Sequence, residues 1–150
     1  MKRKKMINKD KYTLKIEIKF RYGHRLMKPY IGKCNNIHGE GGTAIVEIQA
    51  KDLDKNGMVE DFGVLKSYVR EWIMENWDHS YIHHAEDKYG TQFRQEGLRT
   101  FSMGYENPTA ENMARRLYEV VKSQYPDVKR VGIIESFKDS IAYYEEEQRL

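Results

Sequence analysis

Residues 32–42, Gly-Lys-Cys-Asn-Asn-Ile-His-Gly-Glu-Gly-Gly, hold the single cysteine of this chain, with His38 four positions after Cys34 and Glu40 two further on. His24 lies upstream, in step with the apolar residues of its own segment. Two imidazoles and a carboxylate are a ligand set that zinc accepts tetrahedrally. The other reading is three satisfied polar groups near strand ends. Cys34 is equally open: an unpaired cysteine often serves as a small buried hydrophobe, whereas a neighbouring cation, here Lys33, favours a reactive thiolate. Asp78-His79 is the pairing in which a carboxylate orients an imidazole that moves a proton. Glu135 falls among Val131, Ile133 and Phe137 on one strand parity. A carboxylate there needs a partner, either an Arg or Lys or a ligand offering two adjacent N–H donors. His83 and His84 read as exposed loop histidines.

These side chains must be positioned by the elements around them. Leu14, Ile16, Ile18, Phe20 and Tyr22 alternate with Thr13, Lys15, Glu17, Lys19 and Arg21, the period of a half-buried strand that carries His24 onward on the apolar parity. Ala44, Val46 and Ile48 define a second strand from about residue 38, and counting back by twos places Gly42, Glu40 and His38 on the same face. Phe62, Leu65, Val69, Trp72, Ile73 and Trp77 form one helical stripe. Residues 83–106 show no sustained period and predict a long loop, functional or mobile. Asn107-Pro108 predicts a helix start, with Met113, Leu117, Val120 and Val121 as its buried stripe. Strands follow near residues 131–137 and 140–144. The expected architecture is α+β: a four-stranded antiparallel sheet in β-β-α-α-β-β order, covered on one face by two helices.

Composition sets the outer limits. A chain of 150 residues with 39% hydrophobic residues supports one domain, over 12–150, behind a basic tail at 1–11 that contains Lys2, Arg3, Lys4 and Lys5. A net charge of +3 gives no case for a nucleic-acid partner. No apolar run reaches the roughly 20 residues that span a bilayer, so no membrane is expected. One cysteine allows no internal disulfide and suits a reducing cytoplasm.

Six stretches in order resemble the family of 6-pyruvoyltetrahydropterin synthase and 6-carboxytetrahydropterin synthase (QueD). They are Phe20-Arg21-Tyr22-Gly23-His24-Arg25-Leu26, Cys34-Asn35-Asn36-Ile37-His38-Gly39, Gly57-Met58-Val59-Glu60-Asp61-Phe62, Trp77-Asp78-His79, Pro108-Thr109-Ala110-Glu111-Asn112 and Ile134-Glu135-Ser136. The resemblance implies the tunnelling fold, in which subunits form trimeric barrels, usually stacked as hexamers, with active sites between subunits. It implies 7,8-dihydroneopterin triphosphate as substrate and zinc as cofactor. His24 and His38 match two zinc-binding histidines; Cys34, Asp78 and His79 match the proton-transfer residues; Glu135 and Thr109 match the pterin contacts. Arg25 and Lys33 are candidates for the triphosphate by position alone. Glu40 stands where the family has a third histidine, and Gly42 where it usually has an aromatic or bulky residue. The implied activity is a lyase making 6-carboxytetrahydropterin for 7-deazaguanine compounds such as queuosine. The alternatives are the 6-pyruvoyl product, or a non-catalytic pterin-binding homologue.

Overall fold

A computed structural model of the chain describes residues 10–137 and 139–147. Most of the basic tail expected at 1–11 therefore lies outside the described residues. In chain order the elements are β1 (Tyr12–His24), a 3-10 turn (Lys33–Asn35), β2 (His38–Ala50), α1 (Phe62–Asn76), β3 (Ser80–His83), α2 (Lys88–Gln95), β4 (Thr100–Ser102), α3 (Ala110–Gln124), β5 (Val128–Glu135) and β6 (Ile141–Tyr144).

The long alternating strands come out as read. β1 and β2 pair antiparallel over their full lengths, Tyr12 opposite Ala50 and His24 opposite His38. Their inward residues, with Val131 and Ile133 of β5, are buried beneath Leu65, Val69 and Ile73 of α1 and Met113, Leu117 and Val121 of α3. Each such side chain contributes about 1.5–3 kcal/mol on burial. This one-sided packing explains the clean period of two in β1: the outward face is charged and exposed.

Three expectations need correction. The sheet formed by the described residues has six strands, in the order β4-β3-β1-β2-β5-β6. It is mixed, since β3 runs parallel to both β1 and β4. There are three α-helices among the described residues, and the supposed loop 83–106 contains α2 and β4. The physical reason is length and burial. All four residues of β3 are buried, so it has no alternation to read. β4 has three residues, and α2 is a polar octet in which Gly90 alone is buried. Neither gives a detectable period.

The start of α3 also differs. Thr109, not Asn107, caps it, accepting the Asn112 N–H at 3.2 Å. The Asn107 amide instead clamps Met27, accepting its N–H at 2.8 Å and donating to its carbonyl at 2.9 Å. That clamp ties the excursion between β1 and β2 to the head of α3. β5 ends at Glu135, because Ser136 takes a positive φ of 42° and Phe137 is exposed.

Candidate metal centre and its cavity

The register of β1 and β2 builds the centre. His24 faces His38 directly, and Tyr22 faces Glu40, so all these groups share the inward face. The imidazole centroids are 4.6 Å apart. Glu40 Oε1 lies 3.8 Å from His24 Nε2 and 3.4 Å from His38 Nε2.

The second nitrogens decide what the trio can do. His24 Nδ1 lies 2.8 Å from the Pro108 carbonyl, and His38 Nδ1 lies 2.7 Å from the Asn36 carbonyl. A carbonyl only accepts, so each Nδ1 carries a proton and Nε2 is the ring atom that each histidine turns toward Glu40. Burial, chiefly, lowers His24 to about 4, with His38 adding to the effect, so His24 is uncharged at neutral pH. Two imidazole nitrogens and a carboxylate oxygen, one from each residue, lie within 4.8 Å of one another. A cation placed among them can take all three as ligands. The donor set fits zinc, and Pro108 and Asn36 supply the outer hydrogen bonds that hold ligating histidines in orientation.

The trio opens onto a cavity of ≈ 280 Å³, which His24, His38, Cys34, Thr109, Glu111 and Glu135 line. Glu135 ends β5 opposite Gly42, and its Oε1 accepts the Tyr22 hydroxyl at 3.2 Å. Burial, and then the charge of Glu40, push the Glu135 carboxyl above its usual range, against the Tyr22 hydrogen bond. Burial first, then Glu135 and Glu40, hold the Tyr22 phenol far above its ordinary value, so it remains a donor. Thr109 Oγ1 already accepts from Asn112, which leaves its own hydroxyl proton free to donate.

Cys34 sits in the 3-10 turn, half-buried. The turn is held from within: the Leu26 N–H donates to the Cys34 carbonyl at 2.7 Å. The Asn35 amide accepts from the Gly32 N–H and donates to the Leu26 and Tyr30 carbonyls. The exposed Tyr30 hydroxyl is raised above its ordinary value, first by its hydrogen bond with the Cys34 thiol.

Asp78 and His79 lie elsewhere. They line a second cavity, ≈ 470 Å³, with Lys19, Arg21, Thr43 and Ser136. Asp78 Oδ2 is 2.7 Å from His79 Nδ1, and Oδ1 accepts the Arg21 N–H at 3.0 Å. Burial alone would raise the Asp78 carboxyl, but the Arg21 N–H and His79 outweigh it and hold it below its usual range. His79 adopts φ 56°, a left-handed conformation that costs a non-glycine residue about 1–3 kcal/mol. Its N–H is fixed to the Arg21 carbonyl at 2.6 Å, and its imidazole projects outward, 73% exposed.

So one chain gathers His24, His38, Glu40, Cys34, Thr109 and Glu135 about one cavity and sets Asp78-His79 at another. Of the two cation candidates, Arg25 is already engaged. Its guanidinium forks onto buried Asp87 at 2.8 and 3.1 Å and lies over the Tyr89 ring. His83 is not an exposed loop residue: it is buried on β3, its Nδ1 2.8 Å from the His84 carbonyl. Sequence reading missed Tyr22, Glu111 and Tyr30 as neighbours of the site. Tyr22 followed the apolar parity, and nothing local reveals that its hydroxyl meets a residue 113 positions away.

Residues 13–147 match the family described as 6-pyruvoyl tetrahydropterin synthase. The chain is 42% identical over 102 residues to 6-carboxy-5,6,7,8-tetrahydropterin synthase of Rickettsia conorii, covering 67% of this chain and 72% of that protein. It is 33% identical over 119 residues to the enzyme of the same name from Haemophilus influenzae, covering 74% and 82%. Among solved structures, an uncharacterized protein from Wolinella succinogenes superposes with a TM-score of 0.78 at 22% identity, covering 91% of this chain and 99% of that one. The 6-pyruvoyl tetrahydropterin synthase of Caenorhabditis elegans gives 0.69 at 24% identity, covering 95% and 100%. These two likenesses speak to the fold.

Proposed function

The chain belongs to the 6-pyruvoyl tetrahydropterin synthase family, and on that premise we propose that it is a 6-carboxytetrahydropterin synthase-like lyase. The reaction converts 7,8-dihydroneopterin triphosphate and water to 6-carboxy-5,6,7,8-tetrahydropterin, acetaldehyde and triphosphate. The observation that carries this reading is the convergence of a three-acceptor metal trio, a thiol and a half-buried carboxylate on one cavity. The names of the curated relatives favour the carboxy product.

Glu135 accepts two hydrogen bonds from the aminopyrimidinone edge of the pterin, and Thr109 adds a further contact from the head of α3. This fixes the ring so that its side chain reaches the trio. His24, His38 and Glu40 would hold a zinc ion, which would supply Lewis-acid polarisation to the substrate side chain. Cys34 takes a proton from that side chain as its thiolate, within reach of the same cavity. His79, oriented by Asp78, assists proton transfer. Because one chain keeps Cys34 and His79 at separate cavities, the working site brings His79 from a neighbouring copy, in trimeric barrels stacked as a hexamer. The enzyme works in the cytoplasm, and its product feeds 7-deazaguanine compounds such as queuosine.

The test is identification of products by mass after incubating zinc-loaded protein with 7,8-dihydroneopterin triphosphate. The 6-carboxy pterin with acetaldehyde supports the proposal. The 6-pyruvoyl pterin moves the chain to the other activity of its family. Binding without turnover assigns it to a pterin-binding role in which Glu40 has ended the chemistry.

A further inference from the structure

Tyr22 stands between the metal trio and Glu135 on the inward face of β1. Its hydroxyl donates to Glu135 Oε1 at 3.2 Å, and its cross-strand neighbour is Glu40. The ring is 4% exposed. Phe20 stacks on it at 5.3 Å and 21°, and it meets His24 edge-on at 5.1 Å and 79°. Packed on both sides, the phenol has little freedom in where it puts its hydroxyl.

Gly42 completes the arrangement. It pairs with Phe20 on one side and with Glu135 on the other. A Cβ at this position would lie 2.7 Å from Phe20 Cζ and 3.0 Å from Tyr22 Cε1. Contacts that short force the rings to move, so the absent side chain at 42 is the space into which both rings settle.

A glutamate side chain has three rotatable bonds, and ordering it when a ligand arrives opposes binding. A carboxylate offers about four lone-pair sites. The Tyr22 hydroxyl occupies one of them and leaves the rest for a ligand. We propose that Tyr22 is a positioning residue for the anchoring carboxylate: it fixes the rotation of Glu135 so that the free lone pairs face the cavity and receive two adjacent N–H donors of a planar heterocycle, with Gly42 making room for the phenol. This rests on the reading of Glu135 as the pterin anchor.

The experiment compares the full-length parent with Tyr22→Phe, Glu135→Gln, the double variant and Gly42→Ala. For each, zinc per chain, melting temperature, kcat, KM and the dissociation constant for oxidised neopterin, read by its fluorescence, are measured. Tyr22→Phe keeps the ring and removes the donor. It is expected to weaken neopterin binding and raise KM by about tenfold, the lower end of the effect of one hydrogen bond to a charged group, with kcat and zinc content little changed. In the Glu135→Gln background it adds no further loss, since both act through one interaction. Gly42→Ala, by displacing the phenol, weakens binding in the same direction at unchanged zinc content. A purely structural role would move the melting temperature and leave KM alone. Neopterin binding by Tyr22→Phe as tight as the parent's, with Glu135→Gln weakened, overturns the proposal and leaves the anchor standing. Neopterin binding by Glu135→Gln as tight as the parent's removes the anchor and the proposal together.

Discussion

Glu40 is the residue on which the candidate metal centre turns. Its Oε1 lies 3.8 Å from His24 Nε2 and 3.4 Å from His38 Nε2, and it supplies the one anionic donor of the trio. Deleting it leaves two histidines and no carboxylate. Glu40→Ala is therefore expected to lose at least about 100-fold in zinc affinity, the upper end of what outer partners of a metal site cost, and Glu40→His to retain binding. Competition with a chelating dye measures both, and equal zinc binding after Glu40→Ala would remove Glu40 from the ligand set. Cys34→Ala should lower kcat by about 10²–10⁴, the range for losing a general base, with zinc content and neopterin binding unchanged. Much of this was legible in the residues, because parity along two strands puts His24, His38 and Glu40 on one face whatever the rest of the chain does. The Tyr22–Glu135 contact was not, since a hydroxyl at the end of a ring reads as an apolar core residue until the opposite strand is in place.

At the level of elements, the join between β1 and the α2 insertion rests on one carboxylate. Asp87 is buried and accepts from the Arg25 fork, the Tyr81 hydroxyl at 2.7 Å and the Tyr89 N–H at 3.0 Å. Burial would raise its carboxyl, but these donors, Arg25 foremost, hold it below the usual range. A depressed carboxyl contributes stability that is complete above the unfolded value, about 3.9, and is lost as pH falls through the lower folded value. Asp87→Asn should destabilise the protein by about 2–3 kcal/mol at neutral pH. It should also flatten the loss of stability below about pH 4, as followed by urea unfolding across pH. The insertion escaped sequence reading for a physical reason. A strand with all four residues buried, an eight-residue polar helix and a three-residue strand have no period, whereas β1, β2, α1 and α3 are long enough to repeat theirs.

At the scale of the molecule, β4 and β6 are the two sheet edges among the described residues, the backbone groups that a barrel of several copies would pair. The separation of Cys34 from His79 within one chain points the same way. Mixing Cys34→Ala and His79→Ala proteins, each inactive alone, should restore turnover after joint refolding, because some sites then draw an intact thiol and an intact imidazole from different copies. No recovery despite mixed assemblies would place both groups on one chain. Sequence announces that a sheet has edges, but not what covers them, because a strand's own residues do not specify its neighbour beyond the sheet. Whether this cavity runs a zinc-dependent lyase reaction is decided by one titration: acetaldehyde released from 7,8-dihydroneopterin triphosphate by metal-free protein as zinc is added back. The account predicts release that rises with zinc and levels off at one equivalent per chain. Release that is undiminished in the metal-free protein, or absent at every zinc occupancy, would contradict it.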